Sequence, residues 1–97
     1  MVILSRGTLR DFGRIHPDAK AQLDAWFHEA AAANWSSPAD IKRHYGNASI
    51  LHNDRIVFNI CGNKYRLIVR VHYATRTVFI RFIGTHAQYD KIDAHTA

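Results

Sequence analysis

Asn59, Arg66, His86 and Tyr89 are the residues whose types could do chemistry together if the fold brings them to one place. An arginine forks onto two phosphate oxygens, and a histidine donates or accepts a proton near neutral pH. A tyrosine donates a hydrogen bond or stacks on a base, and an asparagine positions a hydroxyl or a phosphate oxygen. These are the parts for cleaving RNA with its own 2′-hydroxyl. A base must take the 2′-OH proton, a cation must balance the pentavalent phosphate, and an acid must protonate the leaving oxygen. No metal or other cofactor is required. The plainer reading of each residue stands beside this one: a histidine one residue into a helix is commonly a surface or capping group, and a tyrosine there commonly packs.

The elements that must position them centre on Arg55 to Tyr73. Gly62-Asn63 is a two-residue turn signal, and the runs on both sides alternate in polarity, as hairpin strands in a half-covered sheet do. With Gly62 and Asn63 as the loop, Cys61 faces Lys64, Asn59 faces Arg66, Val57 faces Ile68 and Arg55 faces Arg70. Ile56, Phe58, Ile60, Tyr65, Leu67 and Val69 then project to the opposite, apolar side. Thr77 to Ile83 alternates as a third strand. If Val78, Ile80 and Phe82 join the core, Arg81 shares the polar face with Arg66 and Arg70. Arg55, Lys64, Arg70 and Arg81 are thus candidate RNA-binding residues around Arg66. Scattered cations also serve solubility and edge protection. Gly84 ends the strand, and Thr85 with Gln88 has the spacing of a capping box that opens a short terminal helix. His86, Tyr89 and Asp90 share one face of it, and Ile92 is its anchor.

The first half supplies the cover. Val2-Ile3-Leu4 reads as a strand, and Ser5 or Thr8 as a helix cap, Thr8 forming a weak capping box with Asp11. Leu9, Phe12 and Ile15 recur at helical spacing. Pro17 opens a second helix with the stripe Ala19, Leu23, Trp26, Phe27 and Ala30. Ser37 as N-cap and Pro38 and Asp40 behind it start a third, running to about Tyr45 and stopping at Gly46. Ala48 to Leu51 is an apolar approach to the hairpin. The order of strand, helices, three-stranded meander and terminal helix predicts one α+β domain over residues 1–97, a twisted antiparallel sheet with helices on one face and the face of Asn59, Arg66, Arg70 and Arg81 open.

The 97 residues carry a net charge of +5 with histidines neutral, and the pI is about 9.8. That balance favours a polyanion, nucleic acid before an anionic membrane or an acidic protein. Cys61 is the sole cysteine, which excludes an intramolecular disulfide and a cysteine-based zinc site and suits a reducing compartment. His16, His28, His44, His52 and His95 have no spacing that defines a metal site, and His72 falls at the far end of its strand. No run approaches the length of a membrane span, so a cytoplasmic location is expected.

Val57 to Leu67, Phe79-Ile80-Arg81 and Gly84 to Asp90, with Ser5 to Leu9, Ser37-Pro38 and Asn47-Ala48, occur in an order that resembles the HigB family of type II toxins. The resemblance implies a small, basic RelE-like α+β endonuclease of messenger RNA. It also implies action at the ribosome and a HigA antitoxin with a helix-turn-helix that holds the toxin inactive. Tyr65-Arg66-Leu67 matches the tyrosine-arginine-leucine strand of RelE-like toxins, so Arg66 inherits the phosphate-binding role. Asn59 falls where RelE has a lysine, His86 where it has an arginine, and Tyr89 is a loose counterpart of its terminal-helix tyrosine. The other reading is a non-catalytic RNA-binding or ribosome-associated domain using the same basic sheet. Sheet aromatics for base stacking would favour it, and Phe79 is the only clear one on the polar face.

Overall fold

The computed structural model describes residues 1–97 as nine elements. In chain order they are β1 (Val2–Leu4), α1 (Arg6–Ile15), α2 (Pro17–Ala32), α3 (Pro38–His44), β2 (Ser49–Ile50), β3 (Arg55–Ile60), β4 (Tyr65–His72), β5 (Thr77–Thr85) and α4 (His86–Tyr89). The sheet order is β1-β5-β4-β3-β2. The hairpin has the register its alternation dictates, with Arg55 opposite Arg70, Val57 opposite Ile68 and Asn59 opposite Arg66. Its ladder ends at Ile60 and Tyr65, one pair earlier than expected, because Cys61 (φ 54°) and Gly62 (φ 65°) are both left-handed. The Cys61 N–H bonds Gln22 Oε1 of α2 at 2.5 Å instead of continuing the strand.

Two strands extend the meander. The apolar approach before the hairpin becomes β2, which pairs antiparallel with β3, and β1 pairs parallel with β5, so the sheet is mixed at that edge. The helices cover the predicted apolar face. Ala19, Leu23, Trp26 and Ala30 of α2 and Leu9 of α1 are buried in one cluster with Ile56, Phe58, Ile60, Leu67 and Val69. Trp35, which no periodicity had marked, joins them and stacks on Phe58 at 6.3 Å. No helix is long and apolar enough to cross a membrane.

Several local expectations need correcting. α1 starts at Arg6, with Ser5 left-handed (φ 69°) and making no side-chain cap. Thr8 therefore lies inside the helix, and Asp11 pairs with Arg14 one turn on rather than closing a capping box. Ile15 is exposed. At α3, Ser37 makes no side-chain cap, and Asp40 instead accepts from the Ser36 N–H at 2.9 Å and hydroxyl at 2.8 Å.

The second sheet face is not open throughout. Val57 and Ile68 are buried on it, outside the main cluster. The segment after α4 crosses this face: Arg55 Nε (3.0 Å) and Arg81 Nε (3.3 Å) both donate to the main-chain oxygen of Ala97, and His95 lies 5.5 Å from His52. β5 reaches this arrangement through a bulge. Val69 pairs with Ile80 but Ile68 with Phe82, so Arg81 is unpaired. A bulge leaves its two residues on nearly the same side. Arg81 stays on the Arg66 face, Phe82 joins it there instead of entering the core, and Ile83 packs on the core in its place.

The hairpin turn is tied to the start of α2 by Asp18. Its carboxylate takes Lys64 Nζ at 2.5 Å and the Tyr65 hydroxyl at 2.8 and 2.9 Å. The Lys64 hydrogen bond, then that of Tyr65, holds the Asp18 carboxyl below its usual range, and the same contact raises Lys64. A lowered carboxyl contributes stability above its unfolded value and loses it as pH falls through the folded one. A raised ammonium contributes below its unfolded value. The tie therefore acts between about pH 4 and about pH 10. Asp18→Asn should lower the melting temperature at pH 7 and flatten its fall below pH 4. Melting curves of the two proteins that stay parallel down to pH 2 would contradict this tie.

Candidate nucleic-acid interface and active site

Arg66 sits in the central strand, half-buried, between Asn59 of β3 and Gly84 of β5. Its Nη1 donates to Asn59 Oδ1. That bond uses one of the five N–H donors of the guanidinium and sets its plane, leaving other donors for a ligand. Gly84 offers no side chain beside it. A Cβ there would stand 2.5 Å from Phe82 Cζ and 2.8 Å from Gln88 Oε1, so glycine is what lets ring and cap approach. The cap is the predicted one: the Gln88 N–H bonds Thr85 Oγ1 at 3.2 Å, and the Thr85 N–H bonds Gln88 Oε1 at 2.9 Å.

That capping box aims α4 back over the sheet. The Tyr89 ring centroid lies 5.6 Å from the Arg66 guanidinium carbon, within cation–π range. The His86 N–H bonds the Lys64 carbonyl at 3.1 Å, fixing α4 to the hairpin turn. His86 Nδ1 lies 3.0 Å from Asp90 Oδ2, one helical turn on. An acceptor on Nδ1 sets the ring's orientation and leaves Nε2 as its other nitrogen. The shared face of His86, Tyr89 and Asp90 was legible from spacing, whereas the pairing of His86 with Asp90 was not.

The four central candidates thus gather where β3, β4, β5 and α4 meet: Arg66 touches Asn59 and Tyr89, and His86 starts the helix beside them. The four outer cations do not form one surface. Arg70 is exposed beyond Arg66 on β4. Arg55 and Arg81 hold the segment ending at Ala97, and Lys64 is spent on Asp18 at the helix side of the turn. His72 is exposed and bonds Thr75 Oγ1 at 2.7 Å through Nδ1. Cys61 is half-buried, with Sγ donating to the Asp18 carbonyl at 3.3 Å. The ties of Lys64 to Asp18 and of Arg55 to Ala97 join positions 46 and 42 residues apart, which no local pattern encodes.

Comparison with known proteins finds a family in the same place. The profile of the HigB toxins, described as the RelE-like toxic component of a toxin–antitoxin system, matches residues 19–92. The mRNA interferase HigB of Escherichia coli O6:H1 is 23% identical over 94 residues, covering 95% of this chain and 91% of that protein. The mRNA interferase toxin HigB of Escherichia coli K12 is 25% identical over 92 residues, covering 93% and 88%. The mRNA interferase HigB of Shigella flexneri gives the same figures, 25% over 92 residues.

Proposed function

This chain belongs to the HigB toxin family, and from that premise we propose that it is an endoribonuclease that cuts messenger RNA at the ribosome without a metal. The observation that carries the reading is the convergence of Arg66, Asn59 and Tyr89 at one end of the central strands, where His86 starts α4. In the proposed reaction the 2′-oxygen bonds to phosphorus as the bond from phosphorus to the 5′-oxygen breaks. The 2′-OH proton passes to a base and the 5′-oxygen receives one from an acid. The products are a 2′,3′-cyclic phosphate and a 5′-hydroxyl.

Arg66 holds the non-bridging oxygens and offsets the charge that grows on them, with Asn59 fixing its plane. His86 moves one of the two protons at Nε2, with Asp90 orienting the ring. Tyr89 faces Arg66 across the site and donates from its hydroxyl or stacks on a base. Arg70, exposed on the same strand, extends the cationic track, whereas Arg55 and Arg81 join it only when the segment across them lifts away. The partner that holds the toxin inactive is a HigA-type antitoxin with a helix-turn-helix, and the site of action is the cytoplasm. Inducing the chain in a host cell, with message cleavage mapped at nucleotide resolution, tests this reading. Growth arrest with new message ends is expected, relieved by the antitoxin. A chain harmless without any partner would contradict it.

The cationic track has its own signature. Each phosphate contact on a single strand contributes about −0.7 to the slope of log affinity against log salt. Arg70→Ala should make that slope shallower by about 0.7. An unchanged slope would remove Arg70 from the interface.

A further inference from the structure

Beyond the free end of β3 lies a cavity of about 380 Å³, within the range of about 300–1,000 Å³ typical of small-ligand pockets. Gln22, Trp26 and Glu29 line it from one face of α2, at i, i+4 and i+7. Tyr45 and Asn47 come from the segment after α3, and Phe58 and Asn59 from β3. Trp26 is 2% exposed, yet its Nε1–H has no hydrogen-bond partner. A buried donor in that state is unfavourable until an acceptor reaches it. Glu29 is held in place by the Tyr45 hydroxyl, which donates to Oε1 and leaves Oε2 to accept from a ligand. The interior is aromatic, with Phe58 meeting Tyr45 at 5.0 Å and Trp26 at 5.3 Å, both edge to face. Asn59 belongs to both places, lining the cavity and accepting from Arg66.

We propose that this cavity receives the nucleobase of a nucleotide adjoining the phosphate held by Arg66, with Trp26 Nε1 donating to the base and Glu29 accepting from its exocyclic amine. The proposal rests on the RNA-cleaving reading and adds to it a source of sequence preference. Proteins that read single-stranded RNA combine flat apolar surfaces with polar groups that meet the base edge, and this lining has both. The Glu29 carboxylate repels phosphate, so the RNA backbone stays on the Arg66 side. It also ranks the bases. Adenine, cytosine and guanine carry an exocyclic amine to donate, whereas uracil offers only its N3–H, flanked by two carbonyl oxygens that the carboxylate repels.

The test follows the indole N–H resonances of Trp26 and Trp35 in 15N-labelled protein, assigned with Trp26→Phe, during titration with the four nucleoside 5′-monophosphates. AMP, CMP and GMP should shift the Trp26 signal saturably. UMP should bind about tenfold more weakly, the worth of one hydrogen bond to a charged group, and ribose 5-phosphate should leave the signal in place. Glu29→Gln, which donates as well as accepts, should erase the tenfold difference. Ala25→Phe, at an exposed position on the cavity wall, should abolish the shift without changing the melting temperature. A Trp26 signal unmoved by every nucleotide, in protein that still cuts message, would overturn the pocket and leave the cleavage reading standing. A signal moved by an antitoxin-derived peptide and by no nucleotide would make the cavity a protein-docking site instead. Base-selective shifts in protein that cuts no message would support the pocket and count against the cleavage reading.

Discussion

Arg66→Ala should cut single-turnover cleavage of message by about 10²–10³-fold, the usual loss when one preorganised donor to transition-state charge is removed, and should weaken RNA binding as well. Both effects are expected because, in the proposed reaction, the same guanidinium meets the phosphate in the ground state and balances its growing charge later. The fold should survive. Arg66 is half-buried on the face away from the main cluster, and its partners are the Asn59 amide and the Tyr89 ring. Arg66→Lys separates charge from geometry, since an ammonium keeps the charge without the fork. It should restore most of the binding and little of the rate. Recovery of both by lysine would mean that Arg66 acts as a point charge.

His86→Ala should lose about 10²–10⁴ in rate, the range for one positioned proton-transfer group, while keeping affinity for RNA and antitoxin. The contrast with Arg66 follows from place. His86 is on the exposed first turn of α4, and it is the capping box of Thr85 and Gln88 that holds this turn without it. Tyr89→Phe and Asp90→Asn should each give a smaller loss, because one group assists from across the site and the other only orients an imidazole. Unchanged single-turnover cleavage by His86→Ala would pass the proton-transfer role to Tyr89 or Asn59.

The parts of this fold that follow from period and turn chemistry were legible in the sequence. Gly62-Asn63 and a two-residue alternation set the register that brings Asn59 to Arg66, and Thr85 with Gln88 set the helix that brings Tyr89 there. The third strand was legible only up to its bulge. Nothing in the run of Ile80, Arg81, Phe82 and Ile83 announces that one residue will drop out of the ladder, so Phe82 was expected in the core. The cover over Val57 and Ile68 escaped for a different reason. A polar segment such as Asp93 to Ala97 has no apolar period, and its hold on the sheet lies in two arginine hydrogen bonds to a main-chain oxygen. The same holds for Asp18, whose place at the start of a helix carries no sign of its bond to the hairpin.

In the proposed reaction the RNA's own 2′-hydroxyl is the nucleophile, and protein groups around Arg66 balance the charge. A message that carries a single 2′-deoxy substitution at the cleaved nucleotide, read on ribosomes kept assembled by magnesium, tests this step most directly. The unsubstituted message should be cut to ends bearing a 2′,3′-cyclic phosphate and a 5′-hydroxyl, and the 2′-deoxy message should stay intact at that position. Cleavage of the 2′-deoxy message there, or ends bearing a 3′-hydroxyl and a 5′-phosphate, would count against the 2′-hydroxyl as nucleophile.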